Sequence, residues 1–324
     1  MPAASRNLRS AHACAALLIV SLAAWQPALS LQPQAVPMAT DARHDDAKKD
    51  DPQKDDPREI VRRSVEIDRR NFELARGYTW QHRLVVKSLD KDGKVKHQDI
   101  ETFDINYFYG RQYARLVRED DKPLDAKKEK KQEEEQDKFI SKLKNESEED
   151  RRKRLEKEEK RRREGRAFFR DIVNAYDFRL LGEEQLEDRT AYVIEAVPRP
   201  DFHPTQPHAD ILAKVRGKIW IDKTEYAWIK AEAESIDTIS FGLFLARIHK
   251  GSRMSFEQSY VNHEVWLPRR FSVNGSARIA LVANEGLDQE DTFFNFKKFT
   301  TAVRILPGVT EAQPSPEKSG PPPQ

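Results

Sequence analysis

The chain has 324 residues, 35% of them charged, and a formal net charge of +2. So even a balance gives no global basic field and excludes a nucleic-acid binder of the electrostatic type. The only cysteine, Cys14, lies near the start, so everything after it lacks a disulfide, a thiolate nucleophile and a thiolate metal ligand.

The first thirty residues predict an export signal. Arg6 and Arg9 form a positive n-region, residues 11–25 an uncharged apolar h-region, and Ala28 and Ser30 supply the small residues that a signal peptidase reads. That apolar run is too short for a permanent bilayer span. Cys14 stands inside it, where no lipid is attached. The expected mature chain starts at Leu31, is periplasmic and has no transmembrane segment. Taking Arg6 and Arg9 from the 57 basic residues leaves 55 against 55 acidic ones, a neutral protein.

Residues 31–57, rich in Gln, Pro, Asp and Lys, predict a disordered linker, and residues 307–324 a disordered tail. The domain between them, residues 58–306, is large enough to build a core without disulfides. It opens with a helix: Asp56 caps it, Pro57 takes the first turn, and Ile60, Val61, Val65, Ile67, Phe72 and Leu74 recur at helical spacing up to Gly77. The period then drops to two from Tyr78 onwards. Asp92-Gly93 marks a hairpin turn, and Phe103, Ile105, Tyr107 and Tyr109 share one face of the returning strand. Gly110 breaks it, and a third strand follows over 111–117.

Of the 42 residues 125–166, 31 are charged, 17 basic and 14 acidic. Acid–base pairs four apart, such as Glu149 with Lys153 and Glu156 with Lys160, predict a solvated helical insertion over 125–165. Ser147 followed by three acids predicts a new N-terminus, hence two helices, with Gly165 as the end. A short amphipathic helix carrying Phe168, Phe169, Ile172, Val173 and Tyr176 comes next. Strands then resume: a hairpin turning at Glu187-Asp188, a Pro-rich loop, a helical turn at 211–215, and six or seven strands over 217–303. The expected strands include 241–249, 265–273, 277–283 and 292–299. Short connections make the sheet antiparallel. The fold class is α+β, mainly antiparallel β, with a charged helical insertion.

No catalytic motif is present: no nucleophile elbow, no zincin helix, no phosphate loop, no dinucleotide fingerprint. His203 and His208 with Asp201 and Asp210 have metal-ligand chemistry, but their Pro-rich setting reads as a polar loop. His82 falls on the apolar side of its strand, where an interior histidine must be hydrogen-bonded. The chain is therefore read as a non-enzyme with no cofactor and no metal. What the sequence offers is one aromatic sheet face: Tyr78, Trp80, Leu84, Phe103, Ile105, Tyr107, Ile219, Ile221, Phe241, Leu243, Leu245, Phe256, Tyr260, Phe271 and Phe294.

Four strings carry a resemblance: GKIWIDK at 217–223, IKAE at 229–232, YVNHEVWLPR at 260–269 and FNFKKF at 294–299. With FRLLG at 178–182 and YVIE at 192–195 they resemble the periplasmic LolA/LolB-like superfamily, which includes outer-membrane lipoprotein-sorting carriers and the lipid-sensing domain of RseB. The resemblance implies a curved half-barrel sheet closed by helices around a cavity that accepts acyl chains. It implies an apolar ligand, a lipid or lipoprotein acyl chain; the aromatic face read from the alternation supplies the expected contacts, Trp80, Leu84, Phe103, Ile105, Tyr107, Ile221, Phe241, Leu243, Phe256 and Phe271. A fifteen-methylene chain offers roughly 12 kcal/mol gross at about 0.8 kcal/mol per methylene, before ordering costs. The alternative expectation is an interaction module with a filled core, whose insertion, residues 125–165, docks an envelope protein partner.

Overall fold

The structure, a computed structural model, describes residues 56–206, 209–241, 246–279 and 285–299. The expected signal peptide and tail, and all of the linker before Asp56, lie outside these residues, as do Leu243 and Leu245. The described residues form three α-helices, one 3-10 turn and thirteen strands. In chain order these are α1 (Pro57–Ala75), β1 (Tyr78–Leu89), β2 (Val95–Phe108), β3 (Arg111–Glu119), β4 (Lys122–Pro123), α2 (Ala126–Lys144), α3 (Glu148–Ala175), β5 (Tyr176–Leu186), β6 (Arg189–Pro198), the 3-10 turn (Ala209–Lys214), β7 (Val215–Asp222), β8 (Trp228–Ser235), β9 (Ile239–Phe241), β10 (Ala246–Ile248), β11 (Arg253–Val261), β12 (Val265–Ile279) and β13 (Glu285–Lys298). No helix among them is long and apolar enough to cross a membrane.

The helix caps follow the sequence. The Asp56 carboxylate accepts from the Arg58 amide, and Pro57 stands where no backbone donor is needed. The Gly77 amide returns to the Leu74 carbonyl and closes α1. In the insertion, Asp125 caps α2 and Ser147 caps α3, whose first turn carries Glu148, Glu149 and Asp150 against the positive helix end. Two helices form, joined by residues 145–147.

Two boundaries differ from the sequence reading. Gly165 does not end a helix: α3 runs unbroken from Glu148 to Ala175, absorbing the segment expected as a separate short helix. A mid-helix Gly costs about 1 kcal/mol, which the apolar C-terminal turns offset. Phe168, Phe169, Ile172 and Ala175 pack into the main core. Likewise Asn274-Gly275 does not separate two strands; both lie inside the 15-residue β12. Gly275 is there for close approach, since a Cβ would lie 2.2 Å from Ser252 Oγ. The expected strand at 241–249 is instead two short strands, β9 and β10, antiparallel to each other.

The sheet order is β4-β3-β2-β1-β13-β12-β11-β8-β7-β6-β5, every pair antiparallel, with the β9–β10 hairpin attached through the end of β12. The first strand of the domain pairs with the last, from Tyr78 with Lys298 to Leu89 with Gly286. This joint turns two separate hairpin arrays into one large curved open sheet.

One face of the β5–β7 half is closed by helices. Ile60 and Val61 of α1, Ile172 and Ala175 of α3, and Ala209 and Leu212 of the 3-10 turn pack on Ile194, Ile219 and Ile221. Further along α1, Ser64 accepts from Trp228 Nε1 at 2.8 Å. Asn71 makes both hydrogen bonds of the Trp266 backbone, donating to its carbonyl at 2.7 Å and accepting from its amide at 2.6 Å. The helix thus substitutes for a strand neighbour where β12 leaves β13. Its last turn, at Ala75, packs with Tyr78, Val265 and Leu267 in a second cluster. The insertion rests lightly on the other end: Phe139 of α2 meets Tyr113 of β3 at 4.8 Å between ring centres, and Arg115 pairs with Glu129.

Candidate ligand-binding face

Residues directly paired across a sheet share a face. One unbroken row therefore runs Leu180–Ile194–Ile219–Ala231–Phe256–Phe271–Asp291–Leu84–Glu101–Glu119, from β5 to β3. The next row runs Phe178–Ala196–Gly217–Ala233–Met254–Val273–Gln289–Val86–Asp99. Both rows lie on the face that α1 and α3 cover at the β5–β7 end, the inner face. Gly217 is required in its row: a Cβ would lie 2.1 Å from the Glu232 carbonyl oxygen.

Most residues expected at the ligand site share this face. Trp80 pairs with Ile105, four positions before Leu84 and two after Phe103 on their respective strands, and Tyr107 lies edge-on to Trp80 at 6.2 Å. Phe256 and Phe271 pair directly. Leu84 and Ile105 are buried, whereas Trp80, Phe103, Tyr107, Phe256 and Phe271 are half-buried. Burial raises the Tyr107 phenol above its ordinary pKa. Ile221 is fully buried in the cluster formed with α1. Phe241 lies in β9, and Leu243 is outside the described residues. Phe294, expected on the same face, is paired with Gln81 and so faces away, while its neighbour Phe293 pairs with His82. A bulge in the β1–β13 pairing between Thr79 and Gln81 sets this register.

Towards β1 and β2 the inner face changes character. His82 Nε2 lies 2.7 Å from Asp291 Oδ1, and Gln289 Nε2 donates to Asp291 Oδ2 at 2.7 Å. The three residues are 8%, 1% and 2% exposed. Phe293 stacks on the His82 ring at 4.7 Å with an 8° tilt, and Phe103 stacks at 6.0 Å on the other strand. Beside them, Glu101 is held above the ordinary carboxylate range by burial, and next by Asp99 and Glu119. Sequence reasoning found His82 as an interior histidine but not its partner. Asp288-Gln289-Glu290-Asp291 reads as a polar turn, and only the alternation of Gln289, Asp291 and Phe293 hints that it is a strand with an inward face.

The His203 loop sits elsewhere. It lines a cavity of about 240 Å³ with Asp171, Asn174, Arg199, Asp201, Phe202 and Thr205. Asp171 accepts from the Thr205 amide and hydroxyl, and Asp201 is paired with Arg199 at 2.9 Å. His208 is outside the described residues. Among the described residues no group of three His, Cys, Asp or Glu side chains is placed to hold a metal.

No family profile matches the chain, and no curated protein matches it. Among solved structures it is similar to a LolA superfamily protein from Nitrosomonas europaea, with 12% identity over 75% of this chain and 94% of that one and a TM-score of 0.28. It is also similar to a Vibrio parahaemolyticus domain provisionally described as an outer-membrane lipoprotein-sorting protein, with 11% identity over 76% and 95% and a TM-score of 0.26. A DUF1329 family protein from Desulfovibrio piger matches with 12% identity over 75% and 93% and a TM-score of 0.26. Likeness at this level carries no functional weight.

Proposed function

We propose that this protein is an exported, non-catalytic binding protein that holds an acyl chain or similar apolar ligand on the inner face of its sheet, as a carrier or an envelope sensor. The supporting observation is the apolar row Ala231–Phe256–Phe271, which Asp291 links to Leu84, with Met254 and Val273 in the row beside it. Phe256, Phe271, Phe103 and Met254 are half-buried and belong to neither cluster packed around α1. Aromatic side chains bury large areas, and an apolar ligand gains most from covering such a band. The second reading, a protein partner docking on the insertion, is favoured by the solvated charged surfaces of α2 and α3, where Lys153–Glu149 is 2.7 Å long and exposed.

A fluorescent fatty-acyl probe tests the first reading. The purified protein should bind it, and Phe256→Trp or Phe271→Trp should weaken binding about tenfold while moving the denaturant midpoint little. In a close-packed core the same substitutions cost about 1–3 kcal/mol. A parent protein that binds no probe, with variants that lose stability, overturns the reading in favour of the interaction module.

A further inference from the structure

The apolar row ends in acceptors, and the ligand's polar end must match them. Strands lie about 4.8 Å apart, so from Phe256 on β11 to Glu101 on β2 the row spans about 19 Å, the length of an extended fatty-acyl chain. From β13 to β3 the row reads Asp291, Leu84, Glu101 and Glu119. Asp291 Oδ1 lies 2.7 Å from His82 Nε2, so this carboxylate is already engaged. Gln289 gives one amide N–H to Asp291 and keeps its carbonyl oxygen as an acceptor. Glu101 has neither an ion pair nor a hydrogen bond among the described residues. The neighbouring carboxylates have partners of their own: His97 lies 3.0 Å from Asp99, and Lys128 is paired with Glu119. What remains is the Glu101 carboxylate and the Gln289 amide oxygen, beside the His82 ring that Phe103 and Phe293 flank.

We propose that the inner face selects an amphiphile with a cationic amine head, its ammonium placed among Glu101, His82 and Gln289 and its chain lying on Phe271 and Phe256. This rests on the apolar-ligand reading above. Such a head donates three hydrogen bonds and compensates the unpaired Glu101 charge. A carboxylate head would meet the like charge of Glu101.

Competition against the acyl probe tests it with three ligands of one chain length: dodecylamine, dodecanol and dodecanoate. Dodecylamine should displace the probe about tenfold more tightly than dodecanol, with dodecanoate weakest. Glu101→Gln should shrink the amine-over-alcohol ratio several-fold, and the half-exposed Asp99→Asn provides a second variant should the first fail to fold. Equal affinities, or dodecanoate binding best, overturn the amine head and leave the apolar site standing. Failure of the probe and of all three ligands to bind overturns the underlying reading, and this inference with it.

Discussion

Replacing Asp68 by Asn should stabilise the protein in neutral and alkaline solution and change nothing near pH 4. Asp68 lies on α1 one turn from Ser64 and three residues before Asn71, both buried against the sheet. It has no ion pair or hydrogen bond among the described residues, and burial alone pushes its carboxyl from 3.8 up to about 7. Because the folded-state value is the higher one, protonated Asp68 favours the fold. That contribution is complete below about pH 3.8 and is lost as the pH rises through about 7. A displacement of about three units corresponds to at most about 4 kcal/mol, at 1.36 kcal/mol per unit. The side chain is not fully covered, so water and relaxation reduce this to about 2 kcal/mol. Asn is close in shape to the protonated acid and does not ionise. Urea unfolding of both proteins at pH 4 and pH 8 measures the effect. The variant should lead by about 2 kcal/mol at pH 8 and by less than about 0.6 kcal/mol at pH 4. The acids whose partners lower them, such as Asp121 beside Arg83 and Glu264 beside Lys298, weaken both proteins equally in acid and cancel in the difference. A difference that is the same at both pH values, or an Asn variant less stable at pH 8, refutes the reasoning.

Gly217→Ala should cost 3 kcal/mol or more by about the upper figure for overpacking, because the added carbon meets backbone rather than a movable side chain; a thermal midpoint within a degree of the parent would contradict it. Asn71→Ala should cost about 2–4 kcal/mol in chemical unfolding, since it strips both partners from the buried Trp266 backbone. Deleting residues 125–164 across a Gly/Ser linker should keep a cooperative transition and lower stability by only about 1–2 kcal/mol, the Phe139–Tyr113 contact being the main loss; a non-cooperative melt would make the insertion part of the core. N-terminal sequencing of the exported protein should start at or within a few residues of Leu31, and recovery of Met1 would refute cleavage.

The sequence by itself determined the local events, because each is set by neighbours in the chain. Asp56 and Pro57 start α1, Asp92-Gly93 turns β1 into β2, and Ser147 with its three acids starts α3; none of these needs a distant partner. Alternation placed Trp80, Leu84, Phe103, Ile105, Phe256 and Phe271 on consistent faces of their own strands. It went astray where tertiary contact overrode local preference. Gly165 continues a helix because Phe168 and Ile172 beyond it reach the core, and Gly275 continues a strand because Ser252 passes too close for a side chain. Only the tertiary structure decided which strands are neighbours. The pairing of β1 with β13 brings His82 and Asp291 together across 209 residues of chain and sets Phe293 rather than Phe294 against the histidine ring. No periodicity carries that register. It is fixed by a bulge and by the fit of two remote strands, and a slip of one residue would turn Asp291 to the opposite face and leave the histidine without its acceptor.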